Sequence, residues 1–174
     1  VTHFQLRGAQ PILWMSRDAV YHPSKALRGG IPVIWPWFGP HPSNDALPQH
    51  GFARTSLWSV VGTDVADDGS TVLQLGLSES EETRKLWPYP FELLLTVTAG
   101  VQLRVELTSR NTGAQPFEAG AALHTYFNVG DISSVHLEGL DGREYLDKVT
   151  GFDLKAQNGS ISVTEEVDLS LIHI

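Results

Sequence analysis

Two runs of strict alternation constrain this chain more than any other feature. Phe91, Leu93, Leu95, Val97 and Ala99 fall on one side of a two-residue period. After Gly100, Val101, Leu103, Val105 and Leu107 alternate with Gln102, Arg104, Glu106 and Thr108. Successive side chains of a strand point to opposite faces, so each run makes a strand with one dry face and one wet face. A helix would scatter the same residues around its circumference. Strands of this kind are antiparallel, and their apolar face needs a covering layer.

Other segments repeat the pattern at shorter length. Asp67-Asp68-Gly69 is a hairpin turn signal, and Leu73, Leu75 and Leu77 follow it on one face. Strand-like runs occur at Ile12–Met15, Leu57–Val61, Ser134–Leu137, Glu144–Leu146 and Ser160–Thr164. Turns at Asn111-Thr112-Gly113, Asp141-Gly142 and Asn158-Gly159 punctuate them. The best helix candidate is Ser78–Trp87: Ser78 with Glu81 fits a capping box, and Arg84-Lys85 close the last turn. Pro88 and Pro90 end it. Many short strands with Gly, Asn and Asp turns predict an all-β antiparallel β-sandwich.

Arg28 to Arg54, RGGIPVIWPWFGPHPSNDALPQHGFAR, belongs to neither pattern. Its five prolines remove backbone donors and fix φ, so it is neither an ordinary helix nor a central strand. It reads as an irregular, rigid wall that presents Arg28, Gln49, His50 and Arg54. At least two of its aromatics Trp35, Trp37 and Phe38 are expected in the core; together they could instead form a flat platform for a ligand.

Charge narrows the partners. Twelve Lys and Arg stand against twenty Asp and Glu, a net charge of −8. That disfavours a general nucleic-acid surface, which needs a basic excess, but leaves room for a small anion held by local arginines. There is no cysteine, hence no disulfide framework and no thiolate metal site. No apolar run reaches the roughly 18 residues that a membrane span needs. The 174 residues suggest one domain or part of one. The chain does not begin with Met, and residues 169–174 (LSLIHI) match the translation of a common sequencing adaptor. The expectation is a partial domain over 1–168, cut at both ends, with a non-native tail at 169–174; a native apolar strand is the other reading of that tail.

Among seven histidines, two stand out by context. His50 lies between Gln49 and Gly51 after the proline-rich loop. His124 follows small apolar residues and precedes Tyr126-Phe127-Asn128, the setting of a half-buried imidazole at a strand end. A satisfied core histidine has the same signature. A zinc site from His50, His124 and an acid fits no local ligand spacing. No G-x-S-x-G elbow is present, and no helix follows Gly29-Gly30, which excludes a phosphate-cradling nucleotide loop. Arg28 and Arg54 are natural partners for a phosphate because the guanidinium fork gives paired, charge-assisted hydrogen bonds. Each could equally close a surface ion pair.

Three motifs in order, RGGIPV-WPWFG, PQHGFAR and HTYFNVGDI at 124–132, resemble the hexose-6-phosphate mutarotases (glucose-6-phosphate 1-epimerases) of the aldose 1-epimerase group. The resemblance implies a galactose mutarotase-like supersandwich that interconverts the α and β anomers of a hexose 6-phosphate without a cofactor or metal. His124 matches the acid at the ring oxygen and His50 the second histidine. Arg28, Gln49 and Arg54 match substrate contacts. Asp168 matches an aspartate that holds a sugar hydroxyl, although Leu169 follows where the family has arginine. The family base is a glutamate late in the chain; Glu165 and Glu166 are not in a comparable setting, so the base is expected beyond this sequence. The implied partner is a small sugar phosphate, with no nucleic acid and no membrane, and the implied setting is a cytoplasmic monomer. A non-catalytic carbohydrate-binding β-sandwich is the alternative.

Overall fold

The alternating runs pair as the sequence predicts. The computed structural model describes residues 1–22, 25–147, 149–151, 153–163 and 169–171. In chain order, its first elements are β1 (Val33–Ile34), β2 (Ser59–Val65), β3 (Thr71–Ser78), α1 (Glu81–Leu86), β4 (Phe91–Ala99), β5 (Leu103–Asn111) and β6 (Ala122–Leu123). β2, β3, β4 and β5 form a four-stranded antiparallel meander, and β1 pairs with β6. Across β4 and β5, Leu95 faces Leu107 and Val97 faces Val105, so the two apolar sides lie together.

The inner face of the meander packs on the wall. Phe91, Leu93 and Leu95 are buried on β4, and Leu77 on β3. Val33, Trp35, Trp37, Phe52 and Ala53 join them in one core cluster. Trp35 is its centre: its ring lies 4.5 Å from Phe91, 5.6 Å from Phe52 and 5.9 Å from Trp87. Buried aromatics of this size dominate a small core, each contributing about 1.5–3 kcal/mol by area. The proline-rich stretch therefore does the covering that the alternation demands.

Three local readings shift. Val101 continues the period of its run, yet it sits in the turn before β5 and is exposed, because Gly100 donates its N–H to Gln102 and closes the hairpin there. The helix cap moves from Ser78 to Ser80, since Ser78 is paired with Glu92 in the sheet. Ser80 caps Thr83 N–H and the Thr83 hydroxyl accepts from Ser80 N–H, a capping box two residues later than predicted. Ile12–Met15 makes single bridges, Leu13 to Phe127 and Met15 to Gly29, rather than a ladder.

Residues 1–128 form one compact unit and residues 129–174 another. The second contains β7 (His136–Leu137), β8 (Glu144–Asp147), β9 (Asp153–Ala156), β10 (Ile161–Ser162) and β11 (Leu169–Leu171). β8 is flanked by β9 and β11, and β7 pairs with β10, all antiparallel. The backbone of Leu169–Leu171 thus lies beside Tyr145–Asp147. Lys155 reaches across from β9 to the Asp147 carboxylate at 2.7 Å. The architecture is all-β and antiparallel, with one short α-helix among the described residues.

Candidate active site

His124 is set by the short ladder that continues β6. Its N–H donates to Pro32 O at 3.0 Å, and Tyr126 N–H donates to Gly30 O at 2.8 Å. Trp14 N–H donates to Tyr126 O on the other side, so the segment is held between two neighbours. His124 and Tyr126 follow β6, with Thr125 N–H donating to Leu123 O at 2.9 Å between them. Their rings lie 5.0 Å apart. The His124 side chain is half-buried, as its sequence context predicts.

His50 is set by a different device. It has a left-handed backbone, φ 65°, uncommon for a residue with a Cβ. That conformation turns the chain so that His50 N–H donates to Gly39 O at 2.7 Å, while Gly39 N–H donates to His50 Nδ1 at 3.1 Å. The reciprocal pair clasps the loop between them. With Nδ1 accepting, neutral His50 carries its proton on Nε2. Gly51, next in the chain, bridges Trp35 so closely that a Cβ there would collide with the Trp35 carbonyl.

The two histidines meet. Their ring centroids lie 6.1 Å apart at 71°. Phe38 packs against both, 4.9 Å from His50 and 6.3 Å from His124. Trp35 and Trp37 point into the core, whereas Phe38 is 40% exposed and belongs to this cluster.

Arg54 stands beside the cluster in a 3-10 turn, Ala53–Thr55. Its Nη2 donates to Gln49 O at 2.8 Å, so Gln49 takes part through its backbone while its side chain is exposed. Burial holds the Arg54 guanidinium below its ordinary value, and nearby Tyr126 partly counters this. Arg28 is exposed. Its carbonyl accepts from Ser16 N–H, and its guanidinium has no ion pair among the described residues. The structure thus brings His50 and His124 together with Phe38, sets Tyr126 against His124 and ties Arg54 to the Gln49 carbonyl next to His50; the Arg28 side chain has no such contact among the described residues. Asp168, Glu165 and Glu166 lie outside the described residues. Tyr126 is the residue the sequence reading missed; its signal is its two-residue spacing from His124.

No three His, Cys, Asp or Glu side chains cluster closely enough to hold a metal ion among the described residues. The chemistry at hand is therefore that of two imidazoles on an aromatic floor beside a partly desolvated guanidinium. Such a set can transfer a proton, donate to a polar oxygen and attract an anion.

This scaffold is shared with a solved crystal structure described as a "putative mutarotase" from Salmonella typhimurium. It superposes with a TM-score of 0.88 at 36% identity, over 97% of this chain and 55% of that one. The aldose 1-epimerase family model matches residues 1–168, and the chain belongs to that family. A relative from Escherichia coli (strain K12), named "Putative glucose-6-phosphate 1-epimerase", is 43% identical over 142 residues, 82% of this chain and 46% of the relative. One of the same name from Cenchrus ciliaris is 39% identical, over 97% of this chain and 53% of its own length. The chain spans about half the length of the curated relatives it matches.

Proposed function

We propose that this chain carries the acid-bearing half of a site that interconverts the α and β anomers of a hexose 6-phosphate. The observation that supports the reading is the meeting of His50 and His124, 6.1 Å apart, beside Arg54. It is joined by membership of the aldose 1-epimerase family and by relatives named for glucose 6-phosphate.

The reaction needs one proton removed from the anomeric hydroxyl and one delivered to the ring oxygen. The bond between C1 and the ring oxygen then breaks, and the electron pair of the O–H bond becomes the carbonyl of the open aldehyde. Rotation about C1–C2 presents the other carbonyl face, and the steps run backward. In this reading the His124 imidazolium delivers the proton to the ring oxygen. His50, with Nδ1 committed to Gly39, offers Nε2–H to a sugar oxygen and orients it. Phe38 supplies an apolar face for the C–H side of the ring, and Arg54 attracts the phosphate. The base at the anomeric hydroxyl is a carboxylate from sequence outside the described residues.

The test uses a chimera in which this chain replaces the matched portion of the Salmonella typhimurium protein. Exchange between the glucose 6-phosphate anomers is read by saturation-transfer NMR. His124→Asn is expected to slow exchange by about 100- to 10,000-fold, the usual contribution of one positioned proton donor. Unchanged exchange in that variant removes the acid role. Binding without any exchange in the parent chimera favours the carbohydrate-binding alternative.

A further inference from the structure

Just past α1, Trp87, Tyr89 and Phe117 line a cavity of about 640 Å³ together with His41 and Glu118. Neither His50, His124 nor Arg54 lines it. We propose that this cavity binds a small organic cation of the quaternary ammonium class, for which choline is the simplest probe. The anomer-exchange reading gives these residues no role, and the inference does not depend on it.

The three rings are inclined to one another. Trp87 and Tyr89 lie 5.1 Å apart at 57°, Trp87 and Phe117 5.6 Å apart at 80°, and Tyr89 and Phe117 5.5 Å apart at 48°. Rings at such angles do not form the flat platform on which a sugar ring stacks. They form a corner, which suits a compact, rounded group. Each ring is half-buried, so the cluster is the rim of the core rather than its centre. Pro88 precedes Tyr89 and Pro116 precedes Phe117; their fixed φ holds the two rings in place without a ligand. Trp87 also carries a buried indole N–H with no acceptor among the described residues. Polar atoms in a finished core are paired, so this orphan sets the cluster apart from ordinary packing.

Charge selects the sign of the ligand. Glu118 is the one carboxylate in the lining, and no Lys or Arg accompanies it. Aromatic faces are the negative pole of the ring quadrupole, with indole the strongest, and attract a cation within about 6 Å. The net charge of −8 adds a long-range pull in the same direction. A primary ammonium needs acceptors for three N–H groups, more than one carboxylate and a phenol comfortably supply. A quaternary ammonium has no N–H, and its methyl groups match the apolar wall that Leu86 and the prolines complete. The volume lies within the range of small-molecule sites, about 300–1,000 Å³, and leaves room for the rest of such a ligand.

The experiment titrates choline, its uncharged isostere 3,3-dimethyl-1-butanol, glucose and a trimethyllysine peptide into the 174-residue chain, with the Trp87 indole N–H and the Tyr89 and Phe117 rings followed by NMR. Choline is expected to bind about 10-fold more tightly than the isostere and to shift these resonances. Glu118 is exposed, so Glu118→Gln leaves the core intact; it is expected to weaken choline about 3-fold and leave the isostere unchanged. Tyr89→Leu keeps an apolar side chain and removes one ring face; it is expected to weaken choline about 5-fold with the isostere again unchanged. An isostere that binds as well as choline overturns the inference, because the cavity is then merely apolar. Tighter binding of glucose overturns it in favour of a sugar site, and tighter binding of the peptide overturns the assignment to a small molecule. Choline affinity unchanged in Glu118→Gln, whether or not Tyr89→Leu folds, overturns it as well.

Discussion

His50 and His124 face each other at 6.1 Å although each is placed by a different part of the chain. His124 rides on a ladder that begins in β6, and His50 is turned inward by a left-handed backbone and a clasp to Gly39. The pair therefore depends on two independent supports, and each can be removed without touching the other.

The clasp separates the structural role of His50 from its chemical one. Asparagine tolerates positive φ and carries an oxygen near the position of Nδ1, so His50→Asn keeps the bond from Gly39 N–H. Alanine loses that bond and is strained at φ 65°. His50→Ala should lower stability by about 1–3 kcal/mol and His50→Asn by less than about 1 kcal/mol. Both should slow anomer exchange in the chimera. Urea denaturation read beside exchange checks this; equal stability loss in the two variants disproves the clasp.

Gly51 is the second support of the same loop. It bridges Trp35 with φ 67°, and a methyl group there would meet the Trp35 carbonyl and the Pro36 nitrogen. Neither neighbour can yield, because both are backbone and Trp35 is fully buried. Gly51→Ala should cost about 3 kcal/mol or more through strain and displacement of the wall. The expected readout is a fall in the denaturation midpoint together with loss of the His50–His124 contact in NMR. A variant as stable as the parent would show that the wall yields.

Much of this was legible in the residues. The alternation at Phe91–Ala99 and the Asp68-Gly69 turn specify β3, β4 and β5, since a half-buried strand has only one pattern. At least two of Trp35, Trp37 and Phe38 were expected in the core, and Trp35 and Trp37 are the two that lie there. The pairing of β1 with β6 was not legible, because two residues from each of two distant segments carry no period. Val101 misled because alternation does not say where a hairpin closes. At the site, the motifs select His50, His124 and Arg54, which the fold brings together. They do not reveal that Gln49 contributes its carbonyl, that Phe38 turns outward, or that Tyr126 packs against His124. Those relations depend on tertiary placement.

The 129–174 unit has its own acid sensitivity. Lys155 donates to Asp147 and holds its carboxyl below the usual carboxylate range, with burial working the other way and Val149 N–H adding a bond. A carboxyl whose folded value is depressed stabilises above its unfolded value, near 3.9, and that contribution fades as pH falls through the folded value. Lys155 is raised by the same bond, so its contribution is complete below about 10.4 and is lost as pH rises through its folded value. Amide protection in β8 and β9, relative to the intrinsic exchange rate at each pH, should therefore fall below about pH 4, and Lys155→Met should flatten that dependence. An identical acid profile in the variant excludes the pair as its source.

The 174-residue chain alone is expected to exchange glucose 6-phosphate anomers hardly faster than buffer. One argument is chemical. His124 can deliver a proton, but the anomeric hydroxyl needs a base at the same time. Among the described residues no carboxylate completes a three-residue cluster with the two imidazoles, and Glu118 lines a separate cavity with His41, Trp87 and Tyr89. Loss of one positioned proton-transfer group lowers the rate by about 100- to 10,000-fold. The other argument is structural. Val60, Val61 and Val65 are exposed on β2, a strand with a partner on one side in the meander, and exposed apolar edges template aggregation. Val101 and Phe127 are also exposed beside an apolar cavity that includes Leu103 and Leu123. Saturation-transfer NMR on the purified chain beside the chimera measures the first effect, and light scattering during denaturation measures the second. A soluble chain that unfolds cooperatively and matches the chimera in rate would place the base within these 174 residues. Glu118→Gln, Glu165→Gln and Glu166→Gln would then be the substitutions that identify it.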